Sequence, residues 1–283
     1  MKTEFRVAVA FAFARFLFCC YRAKHQAITI DEASTYLAYL DGSWRLLGSQ
    51  FSANNHVLFT ILAKLSISVF GLSEFTLRLP SLIAGFFLAI GTFKMLRIVG
   101  SGVLRWTAFA AVCFHPLLTD FSIAARGYGL AVALLIWAVC FVMDGRLSVA
   151  GWLLGLAAAA NLSVAFPVAA LIVVAAVSQG SGCWRASWKM TVSALLVFFS
   201  ICAIPMRSAE RSHFYLGSSD LPQALFAIVQ SSISVGVNAG LFGTIDSARW
   251  IASYVVPVLA VMVVLGTLRF WANVPPPLLR VAG

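Results

Sequence analysis

Apolar and polar positions are arranged along this chain in long blocks. Apolar runs over residues 7–21, 79–92, 103–119, 127–143, 191–206 and 251–268 are bounded by residues such as Lys, Arg, Gly or Ser, and each reads as a membrane-crossing helix. The run 147–184 carries no charge; the polar residues Asn161 and Ser163, with Pro167 beyond them, divide it into two short spans turning near 161–163. The pattern therefore predicts an all-α polytopic membrane protein with about eight transmembrane helices. Arg15 interrupts the first run. A charge at the bilayer centre costs about 2.5 to 3.5 kcal/mol even on a lenient insertion scale, so Arg15 must face the bundle or find a partner.

One region departs from the blocks. Residues 28–71 hold an acidic pair, an Asn-Asn-His triplet and two amphipathic helix patterns. The first helix is expected to begin at Asp31, a good N-cap, with Glu32 in its first turn and Tyr36, Leu37 and Leu40 at helical spacing. Over 57–70, apolar residues at 58, 59, 61, 62, 65, 69 and 70 form one broad face with Lys64 and Ser66 elsewhere. That helix is too short for a comfortable span and reads as interfacial. Gly71 ends it and Ser73 can cap the next. Arg78 reads as a membrane-end anchor.

Composition agrees with the pattern. Apolar residues make up 61% of the chain, charged residues 11%, and the mean hydropathy is +0.94, values outside the soluble range. The formal charge is +10, but the Lys and Arg residues stand singly at the ends of apolar runs and form no basic face, which argues against nucleic acid. Topology, anionic lipid headgroups or a phosphate-bearing substrate account for the excess. With a cytoplasmic N-terminus, Lys94, Arg97, Arg105, Arg146, Arg185 and Lys189 fall in short cytoplasmic segments. The six cysteines show no metal-type spacing, and His25, His56, His115 and His213 are too scattered to suggest a metal site. The N-terminal run reads as an uncleaved first span. The chain is expected to be one domain over 1–283, with a first outer loop at 22–77 and a second at 207–250.

Several elements then occur in order. They are the acidic pair Asp31 and Glu32, the stretch 54–59 with Asn55 and His56, the helix over 62–71, the segment 73–81, and the Ala-Arg-Gly-Tyr that carries Arg126 and Tyr128. This order resembles the membrane glycosyltransferases of the GT-C fold, most closely the protein O-mannosyltransferase-like branch, with the bacterial aminoarabinose transferases of lipid A as relatives. The resemblance covers roughly residues 25–145. It implies a GT-C-like bundle in the bacterial inner membrane that passes a sugar, with inversion, from a polyprenyl-phosphate carrier to an acceptor hydroxyl on the non-cytoplasmic side. It implies that Asp31, with Glu32 beside it, orients or deprotonates the acceptor; a simple helix cap is the other reading of the pair. Arg126 would hold phosphate or anchor the span in headgroups. His56, with Asn55, would bind acceptor or donor phosphate or hold the loop, and Tyr128 would touch the lipid phosphate or sit as an interfacial aromatic. No cofactor is expected, although some relatives use a divalent ion.

Two departures stand out. Relatives commonly carry a glutamate two residues before the arginine, where this chain has Ala124; Asp120 is the nearest acid and the candidate substitute. The chain also ends soon after Pro275, Pro276 and Pro277, earlier than the family usually does. A truncated or inactive relative, or a lipid-carrier transporter or membrane subunit without enzymatic activity, is therefore the competing expectation. A transporter would place polar residues within several spans, whereas here they gather in outer loops and at span ends.

Overall fold

The structure, a computed structural model, describes residues 2–45, 55–99, 102–178 and 183–209 together with Gln223. Asn54, most of the second outer loop and the expected span 251–268 lie outside the described residues. The chain divides into two compact units, Met1–Phe114 with Leu118–Phe214 and His115–Leu117 with Tyr215–Gly283. Among the described residues every regular element is helical. The α-helices are α1 (Lys2–His25), α2 (Ile30–Thr35), α3 (Val57–Phe70), α4 (Glu74–Met95), α5 (Val103–Cys113), α6 (Pro116–Phe121), α7 (Gly127–Met143), α8 (Leu147–Ala160), α9 (Ala165–Ser178) and α10 (Cys183–Met206).

Two of the predicted boundaries need correction. Helix α2 does not start at an Asp31 cap. Thr29 is the N-cap: its hydroxyl accepts the Glu32 N–H at 3.3 Å, and the Glu32 carboxylate accepts the Thr29 N–H at 2.9 Å. This reciprocal capping box satisfies two backbone donors that an Asp31 cap would leave open. The span expected over 103–119 ends at Cys113, because Pro116 cannot continue a helix and disfavours helical backbone in the residue before it. The break in the uncharged run lies where the pattern placed it. Helix α8 ends at Ala160, Asn161 Oδ1 accepts the Ser163 N–H at 2.9 Å, and Pro167 falls in the first turn of α9, where a missing N–H costs little.

Within the first unit α4 packs along α1 and α7, α7 along α8, α8 along α10, and α10 along α9. Ion pairs mark the two ends of this array. At one, Glu4 meets Arg105 at 3.8 Å and Asp144 meets Lys94 at 3.0 Å. At the other, Arg22 meets Asp120 at 3.1 Å and Arg78 meets Glu32 at 2.8 Å. Arg15 faces the bundle, donating to the Cys113 and Gly85 carbonyls at 2.8 and 3.1 Å and to Ser122 Oγ at 3.1 Å. Helix α3 lies across the second end of the array. Val57 at its start packs with Ala159 and Cys202, and Ser66 near its finish donates to the Thr76 carbonyl at 2.7 Å.

Large apolar side chains such as Phe59, Phe93 and Phe109 fill the core, but along α1 and part of α3 the burial pattern is inverted relative to a water-soluble bundle. On α1 the buried positions are Ala8, Ala12, Arg15, Cys19 and Ala23, while Phe5, Phe13, Leu17, Phe18 and Tyr21 are exposed. On α3 Lys64 and Ser66 are buried while Leu65, Val69 and Phe70 are exposed. Each large apolar side chain left in water forgoes about 1.5–3 kcal/mol, so this arrangement suits a medium as apolar as the side chains. Two helices among the described residues, over Glu74–Ile98 and Ser187–Met206, are long and apolar enough to cross a membrane. The apolar helices α3, α5, α7, α8 and α9 are shorter, α8 and α9 with 14 residues each, whereas α1 has 24 residues but carries several charges.

Candidate functional site

The acidic pair sits at the start of α2, and its two members have different surroundings. Glu32 is buried, and its oxygens accept four hydrogen bonds: from Arg78 Nε at 2.9 Å and Nη2 at 2.8 Å, from the Thr29 N–H at 2.9 Å, and from the Ala125 N–H at 2.6 Å. Burial pushes its carboxyl up, but the bonds from Arg78, Thr29 and Ala125 outweigh that and hold it below the usual carboxylate range. Arg78 is equally engaged. Its remaining donors reach the Ala23 and Gln26 carbonyls at 2.7 Å each and the Ala27 carbonyl at 3.0 Å. Arg78 is thus no headgroup anchor: 1% exposed, it joins the end of α1, the start of α2, α4 and the segment before α7.

Asp31 points the other way. Its side chain is 67% exposed and pairs through Oδ2 with Arg126 Nη1 at 3.1 Å, the arginine being buried. Arg126 is the last residue before α7 and has extended backbone. Ser81 Oγ holds this segment by contacts of 2.6 Å with the Ala124 carbonyl and 3.1 Å with the Arg126 carbonyl. Tyr128, in the first turn of α7, stacks on Phe121 with ring centroids 4.8 Å apart and meets the edge of His56 at 5.0 Å. The Arg126 guanidinium lies 5.6 Å from the same tyrosine ring. Asp31, Arg126, Tyr128 and His56 are therefore one cluster.

Gly127 lets these parts approach. A Cβ there would collide with the Ala160 carbonyl and come within 2.9 Å of His56 Cβ, so the start of α7, the end of α8 and His56 meet at a point only glycine can occupy. His56 is buried. Burial, then the nearby Arg126 charge, push its imidazole down to about 3, although a hydrogen bond to the Ala160 backbone works the other way. The ring is neutral at physiological pH. Asn55, also buried, contacts Thr60 Oγ at 3.3 Å.

Asp120 is turned toward α1, where it pairs with Arg22 at 3.1 Å. Sequence reasoning passed over Thr29, whose signal is the Thr-x-x-Glu spacing, and Asn161, which it read only as a turn residue. Among the described residues no three His, Cys, Asp or Glu side chains gather to hold a metal ion.

An apolar groove of about 600 Å3 opens between α3, α4 and α7. Leu62 and Phe70, Ile83 and Phe87, and Leu130 and Trp137 line it. On α7 its lining begins at Leu130, one turn from Gly127, and extends to Phe141, roughly 16 Å along the helix. None of Asp31, Arg126, Tyr128 and His56 lines this groove; the helix that Arg126 precedes carries one of its walls. Comparisons of the chain with protein-family models, curated proteins and solved structures give no match.

Proposed function

We propose that this chain is an inverting membrane glycosyltransferase that moves a sugar from a polyprenyl-phosphate carrier to an acceptor hydroxyl. What supports the reading is the exposed Asp31 carboxylate, paired with a buried arginine at 3.1 Å just before α7, a helix that also walls the apolar groove. An amphiphile with one phosphate and a long hydrocarbon tail matches that arrangement part for part. The tail lies along α7 in the groove and the phosphate meets Arg126, whose planar guanidinium grips phosphate oxygens in pairs. The start of α7 adds backbone N–H groups suited to an anion.

Chemistry follows from the pair. The acceptor hydroxyl donates to Asp31, and its proton passes to that carboxylate as its oxygen bonds to the anomeric carbon. The bond from that carbon to the phosphate oxygen breaks, and Arg126 meets the charge left on the departing phosphate. Glu32 takes no part in this scheme, because Arg78, Thr29 and Ala125 already occupy its oxygens. We assign the Asp31 end to the non-cytoplasmic face, since Lys94, Arg97, Arg105 and Arg146 gather in short segments at the opposite end.

Ala124 favours a second reading, a carrier-binding membrane subunit that performs no transfer, because the second acid is missing there. One experiment separates the two. Membranes containing the chain are supplied with radiolabelled polyprenyl-phosphate sugar. Transfer that Asp31→Ala abolishes supports the enzyme; carrier binding without transfer from any of several donors supports the subunit.

A further inference from the structure

Three buried side chains around the Gly127 junction carry polar atoms with no hydrogen-bond partner: Asn55 Nδ2, His56 Nε2 and Asn161 Nδ2. The residues are 7%, 3% and 4% exposed, so water does not satisfy them from the surface. Buried polar groups are paired as a rule, and three orphans at one junction call for a ligand. They arise from two directions. Asn55 and His56 precede α3, and Asn161 follows Ala160, the residue whose carbonyl closes on Gly127 next to His56.

The chemistry of the three narrows what they take. Asn161 Oδ1 accepts the Ser163 N–H, which fixes its carboxamide and leaves its NH2 as the free donor. Asn55 engages Thr60 through one end of its carboxamide only. The neutral imidazole of His56 offers one nitrogen. None of the three carries a charge, and they combine two amide N–H donors with one imidazole nitrogen, so a cation is not the matching group. Hydroxyls are, because each O–H both donates and accepts and so suits the two amide N–H donors and the Nε2 lone pair that His56 keeps while its other nitrogen bonds the Ala160 backbone. Tyr128 stands between this trio and the phosphate-type site, with its ring 5.0 Å from His56 and 5.6 Å from the Arg126 guanidinium.

We propose that Asn55, His56 and Asn161 form a neutral subsite that recognises the ring hydroxyls of the sugar on the carrier, beside the phosphate held by Arg126. The proposal rests on the carrier reading above and adds to it a sugar-reading residue, Asn161, outside the span of the family resemblance.

The test uses the full chain in lipid nanodiscs and compares its affinity for polyprenyl phosphate with that for polyprenyl-phosphate sugar. Asn161→Ser keeps a side-chain oxygen to cap Ser163 while removing the free NH2, and Asn55→Ala removes the other carboxamide. Each variant is expected to weaken the glycosylated carrier about five- to ten-fold and to leave bare polyprenyl phosphate unchanged. Arg126→Ala is expected to weaken both. If Asn161→Ser and Asn55→Ala leave the glycosylated carrier at wild-type affinity, or weaken both carriers alike, the trio holds only water or shapes the fold, and the subsite is overturned while the carrier reading stands. If the wild-type chain binds neither carrier, both are overturned.

Discussion

Arg78 grips both oxygens of Glu32, at 2.9 and 2.8 Å, across 46 residues of sequence, and each side chain is 1% exposed. Both are also tied to backbone: Glu32 to Thr29 and Ala125, Arg78 to Ala23, Gln26 and Ala27. The pair connects the end of α1 to the start of α2 and to the segment that delivers Arg126. It therefore positions the segments that carry Asp31 and Arg126.

Removing one partner of such a pair leaves an uncompensated buried charge. Arg78→Ala is expected to destabilise the fold by about 3–5 kcal/mol, seen as a large drop in the Tm of the detergent-solubilised protein. The Glu32 carboxyl is held below its ordinary range, so its contribution to stability is present in full above its unfolded pKa of about 4.3. It is lost as pH falls through the lower folded value. Glu32→Gln should remove that acid limb; a variant whose acid sensitivity matches wild type would contradict the assignment.

Gly127 offers a different test. Its Cβ position is blocked by the Ala160 carbonyl, which is backbone and cannot swing aside. Gly127→Ala should cost about 1–3 kcal/mol through overpacking and disturb His56 as well. Gly71 is the control: its φ of +80° disfavours alanine, yet no atom lies within 4 Å of its Cβ position. Gly71→Ala should cost about 1 kcal/mol and leave carrier binding intact. Thermal melts with parallel binding measurements separate the two cases.

Much of the helix order was legible from apolar blocks, and the inward turn of Arg15 followed from the cost of a charge in lipid. The start of α2 was misplaced because Asp is as good a cap as Thr, and the Thr-x-x-Glu spacing that decides between them begins two residues upstream of Asp31. Pairings such as Arg78 with Glu32 depend on how α1, α2 and α4 meet, and no local pattern encodes that. The apolar stripe of α3 left its direction open, since a stripe reads alike whether it faces core or lipid. Asn161 looked like a turn residue because its proximity to His56 exists only once α8 ends against the first residue of α7.

His56 gives a pH signature. Burial and the Arg126 charge depress its folded pKa to about 3, below the ordinary histidine value of about 6.5. A depressed basic group favours the folded state fully above the unfolded pKa, and that contribution shrinks as pH falls from about 6.5 toward 3, because the unfolded chain takes up the proton first. His56→Gln should flatten the stability profile over that window while wild type slopes downward. A slope that survives the substitution would assign the acid sensitivity elsewhere.

On the proposed glycosyl-transfer reading Asp31 and Arg126 divide the chemistry, and their substitutions should divide the kinetics. Asp31 is two-thirds exposed, so Asp31→Asn removes a base without leaving a hole and should keep the Tm near wild type. Transfer should fall by 10²–10⁴-fold in kcat, the usual worth of a positioned general base, with KM for the carrier little changed. Arg126→Lys keeps the charge but loses the planar fork, so KM for the carrier should rise more than kcat falls. If the first substitution raised KM alone and the second lowered kcat alone, the roles would be reversed: Asp31 would hold the carrier through its neighbours, and Arg126 would act only as charge develops on the leaving phosphate.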